Sequence, residues 1–376
     1  MSVLPALSIS RRAMLGFVAM GLFWGSFAAH VPVLKDQIGA DDALFGLVLL
    51  GSPIGLLLTM WLAPAFDRRL QAWSLPVSAV LLALAYLIPG VVTTPVVFFS
   101  AMVALGLTSG VLDIVSNARV SELETETGKP LMNANHGMFS VAYALSAIAT
   151  GFTREAGIAP VTVFATLSVL VIASAWFMRM EVHPVDEDER RSVHLPMVIV
   201  LLCGGIVLTA FFVEAVVESW SALHIERTLG GNPAEGALGP AILGLTMAAG
   251  RFSGQAVSGR VTDRTIIAWG SGIACIGALI AALAPTPVVA YVGFGLMGLG
   301  VSVVGPLALA LVGRLVPRAH RATAVARVNV IGFAAFFLAP MVMGFVSDSF
   351  GLRVAFAVVA VLALASPFMV QALQRR

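Results

Sequence analysis

Residues 106–140 read GLTSGVLDIVSNARVSELETETGKPLMNANHGMFS. The first part is an apolar run that carries Asp113 and, one helical turn later, Asn117. A short charged turn follows, and the next apolar run opens with Asn133, Asn135 and His136. A carboxylate, three amides and an imidazole thus sit inside or at the edge of segments otherwise built for lipid. Each such group is costly in hydrocarbon, so each marks a functional site until another use is found for it.

The whole chain follows the same pattern. Of its 376 residues 59% are hydrophobic and only 11% charged, and the mean hydropathy is +0.96. A soluble chain of this length needs far more charge to cover its surface. Apolar runs of about 20 residues recur, the length that crosses a bilayer as a helix. Short alternating segments, the mark of a membrane barrel, are missing. The composition therefore implies an all-α membrane protein. Cys203 and Cys275 lie within apolar runs and read as small core residues, not as a disulfide or metal pair.

Apolar runs and breakers divide the chain into twelve expected spans: 13–34, 42–65, 72–91, 95–118, 131–153, 158–180, 195–222, 238–257, 266–284, 287–313, 322–345 and 350–372. The one long charged connection, MEVHPVDEDERRSVH, separates spans six and seven. It gives an N-terminal bundle over 1–180, a linker over 181–194 and a C-terminal bundle over 195–376. With the N-terminus inside, only Lys35, Arg154, Arg227 and Arg353 fall in loops on the opposite side. That bias places both termini in the cytoplasm. The halves also echo each other. AFDRR after span two sets Asp67 beside Arg68, and GRVTDR after span eight sets Asp263 beside Arg264. Matching ALSAIATGF to FLAPMVMGF aligns His136 with Asn329. Two parallel six-helix repeats are the signature of one transporter architecture.

These features resemble the major facilitator superfamily, and several stretches look like its fucose–proton symporter branch and that branch's small bacterial relatives. The carrying residues are Asp113 and Asn117 in LDIVSNARV, NANHG at the start of span five, Trp220-Ser221 in span seven, Gly250-Arg251-Phe252 in span eight and MGFVSD at 343–348. The resemblance implies a monomeric secondary transporter of a bacterial inner membrane, not an enzyme. Two departures stand out. The sugar symporters carry an Asn-Asp pair in span one, where this chain has GSFAAHVP with His30 as its only titratable group. Span seven gains Glu214 and Glu218, which those carriers lack there.

The candidate substrate contacts are Asp113, Asn117, Asn133, His136, Glu214, Trp220 and Asn329. Asn133, His136 and Ser140 share one helix face at i, i+3, i+7. The same groups read equally as interhelical hydrogen bonds near the interface, and Trp220 as an interface tryptophan. Asp113, His136, Glu214 and Glu218 are the candidate proton carriers. The two glutamates sit one turn apart on one face, where a proton relieves their mutual repulsion. Arg251 and Arg327 need partners, Asp113 or a substrate anion among them. For Arg251 a place in the inner gate is the stronger reading, beside Asp67, Arg68, Asp263 and Arg264. Those four are expected to form ion pairs between the halves that hold the outward-open state and break on rocking, or else only to set topology.

No phosphate-binding loop, metal-ligand spacing or nucleophile elbow occurs in the sequence. The basic residues sit at helix ends, so no cofactor, metal or nucleic acid is expected. The expected partners are a small solute, protons and the bilayer. Three functions remain open: proton-coupled symport of a small polar solute such as a sugar, proton-coupled efflux of an amphipathic compound, and a non-transporting sensor on the same fold.

Overall fold

The computed structural model describes residues 3–181, 196–257, 262–317 and 320–374. The expected linker, apart from Glu181, lies outside these residues, as do Arg260, Arg318 and the two terminal arginines. Every regular element described is helical. The first half holds α1 (Val3–Ile9), α2 (Arg11–Gln37), α3 (Asp42–Leu49), α4 (Gly51–Leu70), α5 (Ser74–Ala85), α6 (Pro95–Thr127), α7 (Met132–Glu155) and α8 (Pro160–Ala175). The second holds α9 (Met197–Leu223), α10 (Pro233–Val257), α11 (Asp263–Leu283), α12 (Pro287–Leu315), α13 (Arg321–Phe333), α14 (Ala335–Ala363) and α15 (Ala365–Gln374).

Local chemistry sets the ends. Proline occupies the first turn of α6, α8 and α12, where a missing N–H leaves no bond unmade. Asp41 caps α3 by accepting the backbone N–H of Leu44 at 2.7 Å. Helix α6 ends at Gly128, whose φ of 64° is costly for a side-chain-bearing residue. The turn to α7 is pinned by Glu124, whose Oε1 accepts the N–H groups of Leu131 at 2.5 Å and Met132 at 2.8 Å. The stretch 106–140 is thus one helical hairpin. Its first arm runs nine residues beyond the span expected to end at 118. SELETET continues the helix as a polar extension, and Arg119 reaches Glu122 one turn on at 2.9 Å.

Eight helical segments are long and apolar enough to cross a bilayer. One of them, Asp42–Ala85, covers 44 residues and contains Gln71 at φ 48°. Another, Thr323–Leu373, covers 51 and contains Gly351 at φ 80°.

The packing recurs from half to half. In the first, α2 packs on α7, α4 on α6 and α5 on α8; in the second, α9 packs on α13, α10 on α12 and α11 on α15. Close approach rests on glycine. A methyl group on Gly106 of α6 would strike the Ser52 carbonyl of α4, and one on Gly55 would strike the Val103 carbonyl in return. Across the halves, α7 packs on α10 and α3 on α14.

Candidate functional site

A cavity of about 310 Å³ lies between the halves. Helices α2, α4, α6 and α7 form one wall, and α9, α10, α13 and α14 the other. Its ionisable lining is Asp113, His136, Glu214, Glu218 and Arg251. Sequence spacing brings each of them there. On α9, Phe211, Glu214 and Glu218 lie three and four residues apart and so form one stripe along the wall.

The polar groups form a chain. Asn117 donates its amide N–H to Asp113 Oδ1 at 2.9 Å and to the Asp113 carbonyl at 2.9 Å. Asn117 Oδ1 lies 3.2 Å from His136 Nε2. With the amide N–H committed to a carboxylate, that oxygen can only accept, which assigns the proton to Nε2. Phe17 holds the imidazole edge-on at 4.9 Å between ring centroids. Arg251 enters from the other half. It donates to Ser140 Oγ at 2.5 Å and to the His136 carbonyl at 3.3 Å, and its other arm meets Glu214 Oε1 at 3.4 Å. The sequence left Asp113 as a candidate partner for Arg251. The structure gives that role to Glu214, on the neighbouring helix of the same half. Glu218 lines the cavity with no hydrogen bond or ion pair to the protein.

Four expected substrate contacts are not among the lining residues. Asn117 stands behind Asp113 and His136, in contact with both. Trp220 is fully buried against Phe45, with 6.0 Å between ring centroids. Asn133, one turn before His136, is exposed, and Asn329 is half-buried on α13. Arg327 is exposed as well. His30 is buried beside Phe164, bonds to the Ser26 carbonyl at 2.9 Å and stays off the cavity. The sequence reading missed Trp24 as a fixed wall element; its indole N–H donates to Ser109 Oγ at 2.9 Å.

In the state observed, the expected gate residues Asp67 and Asp263 pair within their own halves. Asp67 pairs with Arg119 at 2.5 Å, and Asp263 pairs with Arg314. Both pairs lie within a half. Arg119 is 1% exposed, so its guanidinium takes the nearest carboxylates available on its own side. Arg68 is exposed and Arg264 half-buried, and no ion pair joins either to the other half. The ion pairs between halves are at the opposite end. There Arg154, near the end of α7, grips Glu226 through two hydrogen bonds of 2.7 and 2.9 Å and donates to the Ala29 carbonyl at 2.6 Å. Asp42 binds Lys35 at 3.1 Å and Arg227 at 2.5 Å. Beneath these pairs Ala29, Ala147, Ala237 and Ala241 meet with no exposure. Among the described residues no ion pair joins the halves at the Asp67 and Asp263 end.

Residues 200–376 match the family model described as Major Facilitator Superfamily. Over nearly the whole chain, the protein is 29% identical to an uncharacterised MFS-type transporter of Yersinia pestis, covering 96% of this chain and 95% of that one. Among solved structures it resembles a bacterial homologue of the human lysosomal transporter Spinster in an inward-facing, unoccupied conformation. The TM-score is 0.78 at 15% identity, covering 98% of this chain and 97% of the other. A D-xylose–proton symporter superposes with a TM-score of 0.75 at 15% identity, over 96% and 97% of the two chains.

Proposed function

We propose that the chain is a multi-pass membrane transporter of the major facilitator type, which moves a small polar solute by alternating access, driven by protons. The observation that carries this reading is the asymmetry around the cavity. Ion pairs and tightly packed alanines join the halves on one side of it, and among the described residues no ion pair joins them on the other. A cavity closed at one end and unlatched at the other is one state of a rocking carrier.

Twelve spans follow from length. A helix of 44 residues would be about 66 Å long, twice the hydrocarbon thickness of about 30 Å. The breaks at Gln71 and Gly351 split the two longest segments into two passes each. Helices α7 and α10, too polar to count among the eight, add two more. The recurrent pairing of helices supports two six-span bundles, over 1–180 and 195–376, related by an axis along the membrane normal. The arginine bias then sets both termini on the cytoplasmic side of a bacterial inner membrane.

Asp113, Glu214, Glu218 and His136 are the groups for proton coupling. Protonating a cavity carboxylate removes the desolvation penalty that opposes closure around it, and so biases the equilibrium between open states. A second reading, efflux of amphipathic compounds, draws support from the cavity's many aromatic walls. Counterflow in proteoliposomes tests transport itself, with trapped unlabelled solute accelerating labelled uptake. The sign of the response to an imposed pH gradient separates the readings: acid outside accumulates a symported solute and expels an antiported one. A chain that binds solute yet shows no ligand-dependent flux is a sensor, and the transport reading falls.

A further inference from the structure

The charge count of the cavity constrains what it takes. Three carboxylates, Asp113, Glu214 and Glu218, face one guanidinium, that of Arg251. Arg251 is already held by Glu214 and Ser140. Asp113 has only the neutral amide of Asn117, and among the described residues Glu218 makes no hydrogen bond or ion pair, Arg251 acting on it only at a distance. Around Glu218 the buried hydroxyls of Tyr86 and Tyr143 also lack hydrogen-bond partners, and both lie within electrostatic reach of its carboxylate. The remaining wall is mainly apolar and aromatic. Phe211, about two turns from Glu218 on the same stripe, clusters with Phe333 and Phe336 at 5.7 to 6.1 Å between ring centroids. Trp24 and Phe27 stand edge to face at 5.6 Å.

Resting on the transport reading above in its second form, efflux of an amphipathic compound, the geometry points to a small organic cation with an aromatic or apolar body as the solute, its ammonium held at Glu218 and its body against the phenylalanine and tryptophan walls. An unpaired carboxylate in a low-dielectric cavity is satisfied by a proton or by a cation, and ring faces attract cations in addition. An anion would meet two carboxylates with no free guanidinium to receive it. A polyol would find Ser52, Ser219 and the carboxylates as partners but would set its remaining hydroxyls against a mainly apolar wall, since the Oγ of Ser109 already takes the Trp24 indole and that of Ser140 takes Arg251. Cation and proton compete for the same oxygens, so their alternation at Glu218 gives exchange.

Three probes of one shape and different charge test this on the purified full chain: phenethylamine, 2-phenylethanol and phenylacetate, titrated calorimetrically. The amine is expected to bind at least about tenfold tighter than either analogue. Glu218→Gln is expected to remove that preference while leaving 2-phenylethanol binding unchanged. An alcohol or carboxylate that binds as well as the amine overturns the proposal, as does failure of all three to bind. A preference that survives Glu218→Gln overturns the assignment to Glu218. The wild-type ratio stands even where the variant does not fold. Counterflow separates this proposal from the transport reading. Amine binding without amine counterflow keeps the cation site and rejects transport. D-xylose counterflow without amine binding keeps transport and rejects the cation.

Discussion

Asp113 and Arg119 lie on the same helix, six residues apart, and the cavity divides their roles. Asp113 faces the void with one amide for company; Arg119 faces away, clamped by Asp67 and Glu122. Replacing Asp113 by Asn keeps the hydrogen-bonding shape and removes the titrating group. Proton-driven accumulation is expected to vanish while counterflow continues, and undiminished proton-driven uptake would sink the coupling role. Arg119→Leu strands two carboxylates, both still partly shielded from water. The loss is expected to be about 3 kcal/mol, the scale for breaking a buried pair, read as a lower melting temperature of the purified protein. At this scale the sequence disclosed spacing well and partners poorly. Asp113, Asn117 and His136 were visible because helical periodicity alone places two of them one turn apart and the third at matching depth. Arg251's partner was not visible, since sequence depth puts Asp113 in the inner half of its span, like Arg251, and Glu214 in the outer half of its own, and only packing shows which is in reach. Trp220 misled because its neighbours at i±4 look the same whether the ring faces a cavity or a core.

At the scale of elements, the contact of α3 with α14 bears on the closed end. A side chain on Gly46 would run into the Pro340 carbonyl and the Gly344 backbone. Overpacking of this kind costs roughly 1–3 kcal/mol. Here it weighs only on the state in which the helices touch, so Gly46→Val is expected to shift the molecule toward opening at that end. A Ser219→Cys reporter on the cavity wall measures it. Its labelling by an impermeant maleimide from the Arg154 side should rise about tenfold, one decade for each 1.4 kcal/mol. Cys203 and Cys275 are buried and give a low background. An unchanged rate would show that the glycine contact does not hold that end. Gly46, Gly51 and Gly55 stand close together in one apolar stretch of the sequence, as small residues that permit close packing. The sequence could not say that Gly46 packs across the halves and the other two within one.

For the molecule as a whole, the few basic residues on the side away from the linker are the informative ones. Lys35 and Arg227 share Asp42, Arg154 holds Glu226, and Arg353 donates to the Ala282 carbonyl at 3.1 Å. Charge bias disfavours such residues on that side, so their presence was itself the signal of a latch. It went unread because the same four served only to fix orientation. The twelve-span division was drawn from apolar length, whereas gate pairing depends on which half a neighbour belongs to, which periodicity does not encode. Arg154→Glu is expected to raise Ser219→Cys labelling from that side, and adding Glu226→Arg should bring it back down. A swap that fails to restore protection would show that the pair does not act as a unit.

The four alanines beneath that latch have a consequence for energy conservation. Methyl groups packed without exposed surface leave no room and no polar partner for a file of water. In the proposed carrier the patch would act as an insulator, keeping an electrochemical gradient from short-circuiting through the protein. Because each methyl contributes little cohesion, the same insulation separates at small cost when the carrier turns over. Tightness against leakage and ease of parting, which oppose each other in a seal made of long side chains, are compatible in one made of alanine.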